Sequence, residues 1–281
     1  MAYTPWKLTS GNREFTFERP VVMGILNVTP DSFSGDGIYP WAKGTAIVRA
    51  RNMVNEGADI IDVGGESTRP GSEPISLKEE MYRVVPIVEA LVSELAVPIS
   101  VDTTKPEVAE WCLKRGAHMI NDVSGLRNDW MRKVVATYHV PAVIMHMQGT
   151  PQTMQIDPHY NTDVVTEIAA YLRIQAVRAK QAGIEQVIVD PGIGFGKTTE
   201  HNLLILRDLA RFKELGFPLM VGVSRKGFIG VLTDRAVDER LAGTLGAVTA
   251  CVLNGADIIR VHDVKQCKDA MLVAHAIGKT E

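Results

Sequence analysis

Polar groups able to do chemistry recur along this chain at the ends of short apolar runs. The densest stretch is Val189-Asp190-Pro191-Gly192-Ile193-Gly194-Phe195-Gly196-Lys197, where a carboxylate closes a run that reads as a buried strand. Three glycines follow, and they let the backbone approach a ligand closely. Phe195 offers an apolar face to a flat molecule. Gly196-Lys197-Thr198 ends like a phosphate loop, but Pro191 stands where that motif needs a glycine. Gly192-Ile193-Gly194-Phe195-Gly196 also lacks the gap before the last glycine of a dinucleotide fingerprint. Taken by itself, the stretch is equally a strand-to-helix turn punctuated by Gly and Pro.

Other apolar runs end the same way. Asn27, Thr68 with Arg69, Asp102, Asn121, His146, Asp190, Ser224 to Lys226, and Arg260 to His262 all follow short apolar segments. One polar strand end is a structural cap; so many converging on one rim are hard to explain as packing, because buried polar groups are costly unless paired. Asp102, Asn121 and Asp190 offer carboxylate and amide edges, with Lys226 as a donor. That set suits a flat heterocycle bearing amino and carbonyl groups. Arg260 and His262, with Asn27 and the donors around Thr68, suit a phosphate or diphosphate. The amide oxygen of Asn27 is placed to bind a hard cation such as Mg2+ beside those phosphates.

The elements that must position these groups alternate regularly. Apolar strands are expected at 21–27, 59–64, 98–102, 118–121, 142–146, 186–190, 219–224 and 258–262. Helices are expected to end at Gly57 and to span 105–115, 130–139, 161–183, 203–215, 239–254 and 264–278, with another opening at the capping box Ser76-Leu77-Lys78-Glu79. Eight strand–helix units close a (β/α)₈ barrel, with the active site at the C-terminal strand ends; a doubly wound open sheet is the alternative. An internal echo supports the ring: Gly57-Ala58-Asp59-Ile60-Ile61-Asp62, Gly116-Ala117-His118-Met119-Ile120-Asn121 and Gly255-Ala256-Asp257-Ile258-Ile259-Arg260 share one pattern. Residues 1–20 read as a hairpin plugging one end, so that 1–281 form a single domain with its barrel over 21–278. The loops 29–44 and 67–76 are long and rich in Gly, Ser and Pro, the composition of lids and binding loops.

Composition narrows the class. With 281 residues and 46% hydrophobic content, the chain can bury a large core. A net charge of -3 argues against a nucleic-acid partner. No apolar run approaches the roughly 18 residues of a membrane helix, and residues 1–10 lack an apolar leader. Cys112, Cys251 and Cys267 match no zinc spacing, and a reducing cytoplasm is expected.

The motifs resemble one family in order. Gly24-Ile25-Leu26-Asn27-Val28-Thr29-Pro30-Asp31-Ser32-Phe33-Ser34 is similar to the first signature of the dihydropteroate synthase family, and Asp62-Val63-Gly64-Gly65-Glu66-Ser67-Thr68-Arg69-Pro70-Gly71 to its second. Val101-Asp102-Thr103, Ile120-Asn121-Asp122, Met145-His146-Met147, the Asp190 loop, Ser224-Arg225-Lys226 and Arg260-Val261-His262 match in sequence order. A small departure is Gly35-Asp36-Gly37, where the family often has the acid first. The resemblance implies a transferase of folate biosynthesis that joins 4-aminobenzoate to (7,8-dihydropterin-6-yl)methyl diphosphate by an SN1-like displacement. It implies a pterin site of Asp102, Asn121, Met145, Asp190 and Lys226, and a diphosphate site of Asn27, Thr68, Arg260 and His262, with Mg2+ on Asn27. Phe33, Thr68, Arg69, Pro70, Phe195, Ser224 and Lys226 would form the 4-aminobenzoate pocket. Asp102, Lys226, Arg260 and His262 would carry the catalysis, and a homodimer would form through the late helices around 243–254. The rivals are a barrel methyl transferase that binds reduced folate, a Schiff-base aldolase using Lys226, and a non-catalytic pterin binder.

Overall fold

The computed structural model describes residues 3–29, 40–68 and 71–279, with backbone alone for 40–43. Phe33, Arg69, Pro70 and the Gly35-Asp36-Gly37 turn therefore lie outside the described residues.

The chain opens with an antiparallel hairpin, β1 (Trp6–Ser10) and β2 (Arg13–Phe17), turning at Gly11-Asn12 with Ser10 opposite Arg13. Eight parallel strands follow: β3 (Val21–Asn27), β4 (Ile60–Gly64), β5 (Ile99–Asp102), β6 (Met119–Asp122), β7 (Ala142–Met145), β8 (Val187–Asp190), β9 (Met220–Val221) and β10 (Ile258–Val261). They pair in the order β8-β7-β6-β5-β4-β3-β10-β9. A bridge between Val189 and Leu219 joins β8 to the start of β9, which closes the ring. The result is a (β/α)₈ barrel with a separate hairpin, as the alternation predicts.

Helices cover the outside: α1 (Pro40–Asn55), α2 (Leu77–Glu94), α3 (Pro106–Leu113), α4 (Asp129–Thr137), α5 (Val164–Gln181), α6 (Thr199–Arg207), α7 (Gly227–Thr233), α8 (Leu241–Leu253) and α9 (Val264–Lys279). Gly57, Gly116 and Gly255 each take positive φ (104°, 90° and 93°), so the echoed glycine is a left-handed cap that turns helix into strand at once. Ser76 caps α2 by accepting the Glu79 N–H at 3.2 Å, while the Glu79 carboxylate accepts from Arg83 Nε at 2.8 Å.

Three stretches depart from expectation. The loop expected over 29–44 gives way to α1 at Pro40. The helix expected over 203–215 starts earlier and breaks at Asp208, whose φ and ψ of -101° and 23° leave the helical region. A 3₁₀ turn, Leu209–Leu215, continues from there and buries Leu209 and Phe212, three residues apart as that tighter winding requires. The strand expected over 219–224 is only Met220–Val221. Beyond it Ser224 bonds to His262 rather than continuing a ladder, and the extra helix α7 follows.

Strand parity builds the site. Val21, Met23, Ile60, Met119, Val143, Ile188, Met220 and Ile258 face the barrel interior in one apolar cluster, which Leu8 of the hairpin completes with Trp6, Phe15 and Phe17 packed against it. Val22, Ile61, Val101, Ile120, Ile144, Val189, Val221 and Ile259 face the helices. Side chains alternate with period two, so the next inward layer is Asp62, Asp102, Asn121, Met145, Asp190 and Arg260. The lower barrel is therefore sealed with hydrocarbon, and the polar layer sits directly above it.

Candidate active site

Arg260 occupies the middle of that polar layer. Its Nε donates to Asp62 Oδ2 at 2.6 Å and its Nη2 to Asp102 Oδ2 at 2.5 Å. Asn121 Nδ2 donates to the same Asp62 oxygen at 3.0 Å. Asp62 is 0% exposed, and its Oδ1 has no hydrogen-bond partner. Burial opposes the Arg260 charge, but Asp62 and Asp102 outweigh it and hold the proton more firmly than usual. Asp102 moves the other way: burial pushes its carboxyl up to about 7, against the pull of Arg260 and with help from Asp62.

Asp190 ends β8 beside Met145, its register partner on β7. Its Oδ1 accepts the Gly192 N–H at 2.7 Å, which fixes the first turn of the glycine loop. Burial raises its carboxyl to about 6, opposed by that N–H and by Lys226, Arg260 and Lys197. At Gly192 a Cβ would stand 1.9 Å from the His146 carbonyl oxygen, so only glycine fits. Lys226 lies over the Phe195 ring, its Nζ 4.2 Å from the centroid. Burial, then the repulsion of Arg260, lowers its ammonium to about 8. Phe195, Met145, Met147, Met154 and Val123 form an apolar wall on this side of the mouth.

Ser224 joins His262 through two contacts: its Oγ accepts the His262 backbone N–H at 3.2 Å and lies 3.1 Å from Nδ1. Asn27 is the half-buried last residue of β3, in register with Gly64. Thr68 is half-buried in the loop after β4. An ionic cluster holds the neck of that loop: Lys105 Nζ donates to Glu66 Oε2 and Glu80 Oε2, both at 2.6 Å, and Glu66 Oε1 accepts the Ile75 N–H at 2.9 Å.

Two expected rim residues turn away. His146 packs against α5 instead, edge-on to Tyr171 with centroids 4.9 Å apart, and its Nδ1 meets Lys197 Nζ at 3.0 Å. Arg225 pairs with Asp263 at 2.5 Å and takes a left-handed backbone (φ 57°) that presents Lys226 to the mouth. The sequence reading missed Asp62 as a site residue. Its signal was parity: in Ile60-Ile61-Asp62-Val63-Gly64 a carboxylate shares the inward face with Ile60.

A cleft of about 480 Å³ opens between the hairpin and the end of α2, beside Arg13, Phe15 and Leu95, at the opposite end of the barrel. Among the described residues no cluster of three or more His, Cys, Asp or Glu could hold a metal, and no helix is long and apolar enough to cross a membrane.

Fold and site together define a barrel enzyme whose polar mouth gathers buried carboxylates and an amide beside the cations Arg260 and Lys226. The family model described as pterin binding enzyme matches residues 23–262. A dihydropteroate synthase of Escherichia coli (strain K12) is 47% identical over 272 residues, covering 96% of each chain. The solved Xanthomonas albilineans dihydropteroate synthase with 4-aminobenzoic acid superposes with a TM-score of 0.92 at 43% identity, covering 99% of this chain and 100% of that one. The same enzyme in complex with 7,8-dihydropteroate gives 0.87 at 41% identity, over 98% and 100%. This chain belongs to the dihydropteroate synthase family of pterin-binding enzymes.

Proposed function

We propose that this chain condenses (7,8-dihydropterin-6-yl)methyl diphosphate with 4-aminobenzoate to 7,8-dihydropteroate and diphosphate, a step of folate synthesis. The observation that carries the reading is the inward polar layer, with Asp102, Asn121 and Asp190 buried around Arg260. Relatives named for this reaction, at 40–47% identity over nearly the whole chain, support it. None of the relatives and structures compared above is an aldolase or a methyl transferase.

The pterin ring lies on Asp102, Asn121 and Asp190, with Lys226 donating to it and Met145 against its face. Arg260 and His262 meet the diphosphate, with Thr68 at the rim and Ser224 setting the His262 ring. The bond between the pterin methylene carbon and the diphosphate oxygen breaks, and its electron pair leaves with diphosphate. Cations at that oxygen lower the barrier because the charge grows there in the transition state. The methylene carbon becomes cationic, stabilised by the electron-rich pterin and by the nearby carboxylates of Asp102 and Asp190. The amine nitrogen of 4-aminobenzoate then forms the new C–N bond and loses a proton. Phe195 provides the face on which the arylamine lies; Phe33, Arg69 and Pro70 belong to the same pocket by family resemblance alone.

Asn27, half-buried at the end of β3, would hold magnesium as a single amide-oxygen ligand, since Mg2+ keeps its waters and takes substrate phosphate oxygens rather than an all-protein cage. Bound there, it would add positive charge to the leaving diphosphate.

The late helices support a homodimer. Leu203 (40% exposed) and Leu232 (58%) edge a cleft of about 310 Å³ lined by Phe228, Gly243, Ala247 and Ala250, and Val231 (71%) on α7 is exposed nearby in sequence. An apolar surface of that kind is what a second copy of the chain covers.

Mixing the pterin diphosphate, 4-aminobenzoate and Mg2+ with the protein and following diphosphate tests the reading. Release that depends on both substrates is expected; release without the arylamine, or none, would overturn it.

A further inference from the structure

Lys197 stands where a phosphate loop would place its phosphate-binding lysine, yet the structure turns it inward. Lys197 is 3% exposed, and its Nζ lies 2.9 Å from the Phe195 carbonyl, 3.0 Å from His146 Nδ1 and 3.4 Å from the His146 carbonyl. Burial drives its basicity well below the usual lysine range, against the pull of Asp190, and all three contacts go to the glycine loop and the end of β7. Among the described residues no carboxylate lies within 4.0 Å of it. Desolvating a lysine this deeply is costly, and a staple made only for stability is cheaper in hydrocarbon. The amine therefore buys something besides stability.

What it holds is the part of the glycine loop that touches the site. Gly192, Gly194 and Gly196 all have positive φ and no side chains to anchor them. Gly194 is fixed by Asn202 and Gln155, and Gly196 by Tyr160. The Phe195 carbonyl, among the described residues, is held by Lys197. The Phe195 ring in turn lies beneath Lys226 Nζ at 4.2 Å. On the other side, Lys197 grips His146, the residue after Met145 at the end of β7. A neutral His146 ring accepting at Nδ1 agrees with the burial that pushes its basicity down.

We infer that Lys197 is a positioning residue: by tying the Phe195 carbonyl to His146 at the end of β7, it sets the tilt of the Phe195 ring beneath Lys226 and so the seat of the arylamine. The inference rests on the reaction proposed above. Lys197 touches no substrate and acts through Phe195.

A double-mutant cycle with Phe195→Ala tests it, because two residues acting through one ring are not additive. Lys197→Met is expected to raise the 4-aminobenzoate KM about tenfold, the loss of one positioned hydrogen bond, and to leave the pterin diphosphate KM within about twofold. In the Phe195→Ala background the same substitution should add less than about twofold to the 4-aminobenzoate KM. Additive losses, equal losses for both substrates, or no loss would overturn the inference. Should Lys197→Met fail to fold, imidazole nitrogen NMR of the wild-type protein decides, with His146 assigned by selective labelling. The expected spectrum has the proton on Nε2 and a hydrogen-bonded, unprotonated Nδ1 from pH 5 to 8; a proton on Nδ1 at any pH in that range would overturn the tether. A wild type that releases no diphosphate would sink the proposed reaction instead, and the NMR result would still stand on its own.

Discussion

Removing Arg260 should expose the electrostatics of the barrel mouth most directly. Arg260→Met keeps length and hydrocarbon but leaves Asp62 and Asp102 buried without the cation they share, with Asn121 as the remaining donor to Asp62. Breaking a buried pair in this way costs about 3–5 kcal/mol. The cost should depend on pH. Asp102 already stands at about 7, and Arg260 is the main influence holding it down, so the variant carries it higher still. A carboxyl whose folded pKa exceeds its unfolded value binds its proton more tightly when folded, so stability falls as pH rises between the two values. Each pH unit of that kind is worth roughly 1.4 kcal/mol per group. In the wild type this loss ends near pH 7; in the variant it continues beyond. Urea unfolding at pH 8 and pH 5.5 should therefore show the deficit of Arg260→Met shrinking by about 1–2 kcal/mol at the lower pH. Diphosphate release by the variant should fall below detection at both. A deficit of the same size at both pH values would refute the view that Arg260 neutralises this pair.

Asp190→Asn keeps the shape of the residue and should weaken pterin binding in calorimetry by about 1.5–3 kcal/mol, the range for a hydrogen bond to a charged group, while unchanged affinity would remove Asp190 from the site. In the unmutated protein, pterin affinity should drop as pH falls from 8 to 5, because Asp190 takes up its proton near 6 and loses the charge that accepts the ring N–H groups; a flat profile would count against it. 4-Aminobenzoate should bind weakly to the free protein and tightly once pterin, diphosphate and Mg2+ are present, since a ligand shifts a conformation only by its differential affinity; equal titrations would show independent subsites. Leu232→Glu should lower the sedimentation mass to that of one chain without changing far-UV circular dichroism, and an unaltered mass would exclude the α7–α8 face as the dimer contact.

The barrel is legible in the sequence because its units repeat one rule: a glycine with positive φ ends a helix, and an apolar strand delivers a polar side chain. Gly57, Gly116 and Gly255 show it in the structure with near-identical φ. Individual site residues follow wherever a strand ends on the polar group, as at Asp102 and Asp190, and Asn121 stands one residue before the end of β6. Asp62 escaped because it lies two residues before the strand end, where parity rather than position reveals it. Pairing is the other thing a linear reading lacks. His146 and Arg225 occupy rim positions, yet Lys197 and Asp263 draw them elsewhere, and those partners are 51 and 38 residues away along the chain. The break at Asp208 was hidden for a related reason: an apolar spacing of three fits the α- and 3₁₀-windings alike.

The hairpin beneath the barrel turns the active site into a well with one opening. Among the described residues Leu8 and the apolar layer above it fill the floor, so a molecule that enters leaves by the mouth. Depth then becomes order. In the reaction proposed above, a pterin on Asp102, Asn121 and Asp190 would sit at the bottom, and an arylamine on Phe195 would lie over it. An arylamine that settled first would stand over an empty floor and bar the pterin from it. Diphosphate shares the same exit, so it has to clear the rim before the joined product beneath can follow. Turnover in such a well is a queue, and its pace belongs to whichever molecule stands last at the opening.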